Sequence, residues 1–512
     1  MRAAVLLCVA AAPALAEGPA FVDRSADLPL AHVYDGGWAH FVGGGVAVLD
    51  CDADGFPDLF AAGGETPAVL LRNVTGAPGA ALRFEVADLP EITGVTGAYP
   101  LDIDGDGWGD LFVLRSGGNM ALRGGPGCTF ADATEAWGID PGDAWSTAFS
   151  ATWEPGAALP TLAIGNYVDR EDPKGPFRAC DDNALIRPEG DRYGPPLPLS
   201  PGFCALSMLF SDAARRGTPD LRVSNDRHYY VRGGSEQMWI MPELRLLGAE
   251  DGWQPVSIWG MGIASADITG DGLPEVMLTS MGDQLLQYAT GGHGWRDAPY
   301  AVGATAHRPH MGDDGRPSTG WHAEFGDVDN DGLRDLFIAK GNVDQMPENA
   351  MRDPNSLLRQ LPDGRFEEVA GSAGVASMHR GRGAALADLN RDGRRDLVVV
   401  NRRAPLEVWE NVTEGGTWLA LRPRQDGPNR DAIGAWIELR TPDGRVQTAE
   451  LTVGGGHAGG TLGPVHFGLG AAEAAEVRVI WPDGAVSDWQ AVDANAILGL
   501  ERAGDGLTVS AQ

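Results

Sequence analysis

Beyond its first sixteen residues the chain has no apolar run approaching the roughly 18 residues a membrane-spanning helix requires, so no membrane insertion is expected. It also lacks a basic surplus. A formal net charge of −32 sets the chain against nucleic acid or an anionic membrane as partner, since either would bring two negative fields together. The signatures GxSxG, HExxH, CxxC and the P-loop are missing as well, so no catalytic or cofactor-binding residue is assigned. Cysteine is scarce, with five in 512 residues.

What is present starts with MRAAVLLCVAAAPALAEG: one Arg, an apolar run, then Ala14-Leu15-Ala16 as a small-x-small cleavage site. This predicts a signal peptide over residues 1–16, cleaved near Ala16, and a soluble mature protein that is secreted or periplasmic. Cys8 lies inside the apolar core, too early for a lipoprotein. Its removal leaves Cys51, Cys128, Cys180 and Cys204, an even number in an oxidising compartment. Sequence leaves the pairing open. Cys180 and Cys204 bracket a Pro/Gly-rich insertion that a cross-link would help to order, which makes them the candidate disulfide.

The stretch DVDNDGLRD, Asp327 to Asp335, packs four carboxylates into nine residues. Such groups repel and raise one another's pKa, so a fold that keeps them together needs a cation. The pattern recurs as DCDADGFPD from Asp50, DIDGDGWGD from Asp102, DITGDGLPE from Asp267 and DLNRDGRRD from Asp388. In DxDxDGxxD the side chains at places one, three, five and nine can converge, because the glycine at place six permits a sharp turn; a carbonyl at place seven adds an oxygen. The candidate ligands are Asp50, Asp52, Asp54 and Asp58; Asp102, Asp104, Asp106 and Asp110; Asp267, Thr269, Asp271 and Glu275; Asp327, Asp329, Asp331 and Asp335; and Asp388, Asn390, Asp392 and Asp396. All are hard oxygen donors in flexible sets, which suits calcium better than magnesium, with its tight octahedron, or zinc, which prefers His and Cys. About five calcium ions are expected, one per loop.

The motif starts are separated by 52, 165, 60 and 61 residues, so the long step spans three ordinary ones. Degenerate copies fill the gap: SDAARRGTPD keeps Asp212, Gly217 and Asp220 at places one, six and nine, and the segment from Ser146 keeps the flanking pattern without the acids. In the first of these Arg216 stands where a ligand would, which predicts no calcium there and either a built-in counter-ion that keeps the loop closed or a relaxed loop with Arg216 in solvent. Each repeat shows a short apolar segment before the loop, another after it, then a turn and a strand with an aromatic start, as in FEVADLP from Phe84. Seven repeats of this kind predict an all-β chain with a seven-bladed β-propeller over residues 17–414. The last repeat lacks its aromatic strand, and FVDRSADLP from Phe21 supplies one, predicting that the first mature strand completes the seventh blade. From about Gly415 the acidic loops stop. Alternating segments with turns at Asp443-Gly444 and Asp483-Gly484 predict a small separate β-sandwich-like domain over 415–505, with 506–512 as a tail.

The flanking strands, and the absence of a bidentate Glu at place twelve, separate these loops from an EF-hand. They resemble the calcium loops of FG-GAP or VCBS repeats, as in the integrin α-subunit propeller. In the tail, NRDAIGAWIEL from Asn429, GGGHAGG from Gly454, VHFGLG from Val465 and VRVIWPDG from Val477 resemble the ASPIC/UnbV domain that follows such repeats in the cartilage acidic protein family. That resemblance covers nearly the whole mature chain. It implies secretion, structural calcium and a propeller, and it implies no particular reaction.

Other constellations carry less. Gly454, Gly456 and Gly459 form GxGxxG, but without a preceding buried strand or a following helix it reads as a turn. Asn73 and Asn411 head NVT sequons, which matter only in a glycosylating host. His293, His307, His310 and His322 fall within thirty residues of one another with Asp313 and Asp314 nearby. They form a candidate transition-metal or catalytic cluster on one propeller face, and His32 and His40 are weaker candidates. The expectation is a non-enzymatic extracellular binding or adhesion module for an unknown protein or glycan. The alternative is a secreted hydrolase or lyase acting on a polysaccharide or phosphoester.

Overall fold

The computed structural model describes residues 18–172, 179–226, 234–312, 315–504 and 506–512. The expected signal peptide, with Cys8 and the Ala16 cleavage site, lies outside the described residues, as do Asp313 and Asp314.

Seven four-stranded antiparallel sheets follow one another along the chain. The first contains Val46–Leu49, Asp58–Ala61, Val69–Asn73 and Phe84–Val86, and the second Val95–Leu101, Asp110–Arg115, Met120–Gly125 and Thr129–Asp132. The eroded repeats build the third sheet, which begins with Ser146–Thr152 and Thr161–Asn166, and the fourth, which begins with Ala205–Ser211 and Asp220–Asn225. The fifth, sixth and seventh begin with Gly260–Ala266, Gly320–Gly326 and Arg380–Ala387. Within each sheet burial falls outward along the strand order. VAVL at Val46 is buried at every position, whereas the fourth strand FEV at Phe84 buries only its aromatic residue. A strand between two neighbouring sheets needs apolar groups on both faces; an outer strand needs one anchor.

The first strand of each sheet lies against the first strand of the next, and that of the seventh lies against that of the first. Phe21–Asp23 pairs antiparallel with Glu407–Asn411, so the N-terminal strand completes the seventh sheet as expected. A register shift recurs near the start of the first strand in the second to seventh sheets, the bend that a repeated bulge imposes.

The C-terminal region forms two further four-stranded sheets, one centred on Thr417–Arg424 and the other on Trp436–Arg440. They share a core of Leu419, Ile437, Phe467, Val477 and Trp481. Two expectations are corrected. Residues 506–512 are no tail, because Gly506–Ala511 pairs with Ala496–Ala503 as an edge strand. Nor is this region separate from the repeats.

Its glycine-rich segment enters the centre of the ring instead of making a local turn. Ala151 N donates to Val453 O, Gly455 N to Met208 O, Ala98 N to Ala458 O and Val48 N to Gly460 O, while Gly456 and Ile263 pair in both directions. His457 N donates to His322 Nδ1 in the sixth sheet. Thr461–Leu462 then adds a parallel fifth strand to the first sheet. The approach is close: a Cβ on Gly45 or Gly97 would stand 1.7 or 2.0 Å from the Ala458 carbonyl oxygen, so only glycine fits there.

Candidate metal centres

Each intact loop joins the first and second strands of its sheet and is held by one hydrogen-bond scheme. The place-one carboxylate accepts from the place-six glycine amide, as in Asp50 with Gly55, Asp102 with Gly107, Asp267 with Gly272, Asp327 with Gly332 and Asp388 with Gly393. The place-five side chain accepts from the amide two residues on, capping the turn, at Asp54, Asp106, Asp271, Asp331 and Asp392. At place nine the carboxylate accepts from the place-two amide: Cys51 to Asp58, Ile103 to Asp110, Ile268 to Glu275, Val328 to Asp335 and Leu389 to Asp396. In four sheets its second oxygen accepts from the third strand or the residue that ends it, at Asn73, Gly124, Gln360 and Asn411. Place nine therefore ties the loop to the sheet.

These bonds do not offset the cost of burying so much negative charge. Burial pushes Asp58 and Asp110 up to about 8, and Asp102 and Glu275 to about 7. Burial, then the neighbouring acids Asp331 and Asp329, raise Asp327 to about 8, and Asp335 and Asp396 lie well above the carboxylate range. Desolvated like charges gathered in this way are the environment a cation relieves. In three loops the sets Asp50, Asp52 and Asp58, Asp102, Asp104 and Asp110, and Asp327, Asp329 and Asp335 each bring carboxylate oxygens within 4.8 Å of one another. That spread fits oxygens around one ion at about 2.4 Å each. Asp54, Asp106 and Asp331 stand outside these triples, turned to their capping amides. Thr269 and Asn390 leave the loops at 267 and 388 with fewer charges. Cys51 and Cys128 adjoin Asp58 but are joined as a disulfide, which removes their thiolates as ligands.

Guanidinium groups from the third strand approach place three from outside: Arg123 Nε is 2.7 Å from Asp104, Arg359 Nε is 2.8 Å from Asp329, and Arg72 Nη1 is 3.9 Å from Asp52. In the fourth sheet the substitution goes further. Arg216 Nη2 donates to both oxygens of Asp220 at 2.6 Å, while Asp212 accepts from the Arg216 and Gly217 amides. The loop keeps its closed form around a guanidinium.

Neighbouring loops are stapled together. Gln360 Nε2 donates to Ile268 O, Asn411 Nδ2 to Val328 O and Asn73 Nδ2 to Leu389 O, each acceptor being the place-two carbonyl of the preceding loop. At the boundary between the first and second sheets the same carbonyl, Cys51 O, accepts from Cys128 N, and the Cys51–Cys128 disulfide adds a covalent link. Cys180 and Cys204 form the second disulfide. The NVT asparagines are thus buried structural donors, 1% and 0% exposed.

The C-terminal region docks on the loops themselves. Thr448 Oγ1 donates to Asp267, Arg445 Nη1 donates to Asp331 O, His466 Nε2 bonds Asn330 Oδ1, and Gly416 N donates to Asp329 O.

The histidine cluster is dispersed. His293 faces Asp220, His307 pairs with Asp283, and His310 approaches Glu368. His322 accepts from the His457 amide near the ring's centre. Nearness in sequence misleads here: His293 sits in a hairpin turn, His322 on the strand Gly320–Gly326, and His307 and His310, although on one loop, face different carboxylates. His32 bonds the Ala62 carbonyl and His40 lies 3.8 Å from Glu65. The centre itself holds His457, which sequence reading passed over. Gly43 N donates to its Nε2, so Nδ1 carries the proton toward Met261 O, and burial lowers its pKa to about 3. Its only sequence signal was the density of glycines around it.

Residues 50–113 and 327–399 match the FG-GAP-like repeat family, and residues 425–506 match the ASPIC and UnbV family. Cartilage acidic protein 1 of Mus musculus is 28% identical over 492 residues, covering 86% of this chain and 70% of that protein. The Homo sapiens protein is 25% identical, covering 86% and 69%. Among solved structures, the BP39L lectin from Burkholderia pseudomallei aligns with a TM-score of 0.44 and 13% identity, covering 74% of this chain and 98% of that one. The chain is thus an FG-GAP-like repeat protein with an ASPIC and UnbV domain at its C-terminal end, similar to cartilage acidic protein 1 over most of its length.

Proposed function

We propose that the protein is an extracellular binding module, built as a seven-bladed propeller whose acidic loops hold calcium as a structural ion. The observation that carries the calcium reading is the repeated place-nine carboxylate, which is buried, raised in pKa, held by the place-two amide of its loop and, in four sheets, tied to the third strand by a second amide. Such a group is unfavourable without a cation and rigidly placed for one. Oxygen-only donors at this spacing favour calcium over zinc. The two disulfides support an oxidising compartment. Binding is favoured over hydrolysis or elimination because each histidine of the candidate cluster has its own separate partner. Among the described residues no helix is long and apolar enough to cross a membrane.

The test is thermal unfolding after exhaustive chelation. Calcium should restore a large loss in melting temperature and magnesium little of it. Indifference to chelation sinks the structural role.

A further inference from the structure

The acidic loops differ in how far the C-terminal region covers them. In the first, second and fifth sheets the place-five residues Asp54, Asp106 and Asp271 are exposed. In the sixth sheet Asp327, Asp329 and Asp335 are each no more than 6% exposed, and Asn330 at place four is buried with them. The cover is backbone laid on backbone. Gly416 N donates to Asp329 O at 3.0 Å and Gly470 N to Asn330 O at 2.8 Å. A Cβ on Gly415 would stand 2.1 Å from Asp329 O, and one on Gly468 would stand 1.8 Å from Asp327 Oδ2. Only glycine permits that approach, so the strand Val465–Gly470 lies directly against the place-one carboxylate.

Side chains fasten the cover. His466 Nε2 bonds Asn330 Oδ1 at 2.7 Å, and Arg445 Nη1 donates to Asp331 O at 3.0 Å. The Asp331 side chain is the most open of the loop's ligands, 32% exposed, and Arg359 lies across it with Nη2 at 3.6 Å. Behind these groups Asp329 Oδ1 is buried without a hydrogen-bond partner, the unmet acceptor expected where an ion belongs. The loop of the seventh sheet shares the cover through Trp418, whose ring would meet a Cβ on Gly393 at 1.8 Å. There Asn390 replaces a carboxylate, and fewer ligand charges hold calcium less tightly.

We infer that the C-terminal region seals the calcium site of the sixth sheet, so that its ion is the last to leave the protein and the one that ties this region to the ring. An ion in an open loop leaves as that loop flexes, whereas this one leaves only when the covering strand lifts. The coupling is reciprocal: the ion holds the loop in the shape on which the strand docks. Falling calcium therefore empties the exposed loops first and leaves the two regions joined. The inference rests on the calcium reading of the loops, and its test follows the order in which ions leave, so the two can fail separately.

The experiment mixes the calcium-loaded full chain with excess EGTA, desalts it at intervals and counts the retained calcium by mass spectrometry. Loss should be stepwise, with one ion outlasting the rest. Asp329→Asn, which removes a ligand of the sealed loop, should abolish that last step. Arg445→Ala and His466→Ala each remove a fastening bond and no ligand, and should release the last ion about tenfold faster, the effect of one hydrogen bond. The inference is overturned if all ions leave in one phase, if the last ion survives in Asp329→Asn, or if its rate is unaltered in whichever fastening variant folds. A loaded chain that carries no calcium overturns it together with the calcium reading.

Discussion

The side-chain amide of Asn73, in the first sheet, donates to the backbone carbonyl of Leu389, in the acidic loop of the seventh, at 2.8 Å. The two residues are 316 positions apart, and the bond joins the two ends of the repeat array. Its counterparts at Asn411 and Gln360, and the Cys128 amide on Cys51 O, make it a recurring device: four of the five acidic loops are braced at place two by the next sheet.

Asn73→Ala should therefore destabilise by about 1–3 kcal/mol, because it leaves Leu389 O buried without its donor. Asn411→Ala should cost a similar amount. A measured change under about 0.5 kcal/mol for both, the usual size for a neutral surface change, would show that the staples do not matter.

The acidic loops set a pH dependence. Asp58 and Asp110, held at about 8, and Glu275 and Asp102, at about 7, are raised above their unfolded values. The metal-free folded chain then binds more protons than the unfolded chain between about pH 4 and pH 8, and stability falls as pH rises through that window. In chelator, melting should drop by several degrees from pH 5 to pH 8. In saturating calcium, which replaces those protons, the slope should vanish or reverse. A falling slope that calcium leaves unchanged refutes the exchange.

Arg216→Ala should destabilise by about 1–3 kcal/mol, since it strands Asp220 in a half-closed site against the like charge of Asp212. Calcium titration should raise the variant's melting by no more than it raises that of the unaltered protein if the loop lacks ligands beyond Asp212 and Asp220. A lanthanide peak between these two residues in a crystal of the unaltered protein would overturn the counter-ion role.

The glycine-rich insertion predicts that the repeats do not fold well alone. A chain ending at Glu414 should melt far lower than the full chain or aggregate, having lost the segment that bonds the inner strands. Gly45→Ala, which drives a methyl into the Ala458 carbonyl, should loosen the segment and speed proteolysis within residues 453–462. Unchanged melting of the truncated chain would restore the picture of two independent domains.

Ring closure makes the N-terminal strand more important than its length suggests. Deleting Phe21 to Leu28 removes the strand on Glu407–Asn411 and exposes a sheet edge, so light scattering should report aggregation. A monomeric deletion variant with unaltered melting would contradict this.

The sequence by itself determined the features that repeat. Five acidic loops, the strand pairs around them, the two eroded copies, the closing strand at Phe21 and the start of a second β region were all legible, because each puts a periodic side-chain pattern into the chain. The Arg216 substitution was readable for the same reason, as a charge out of place in a known frame. Tertiary structure decided the rest. The residues around His457 looked like a turn because backbone amides and carbonyls carry the segment's bonds to the inner strands, and a backbone hydrogen bond leaves no mark on residue type beyond the glycines that let the chains approach. The four histidines looked like a cluster because distance along the chain was the only distance available. Contacts that span hundreds of residues, such as Ala151 with Val453 or Asn73 with Leu389, exist only once the ring has closed, which is why they had to be seen in the fold.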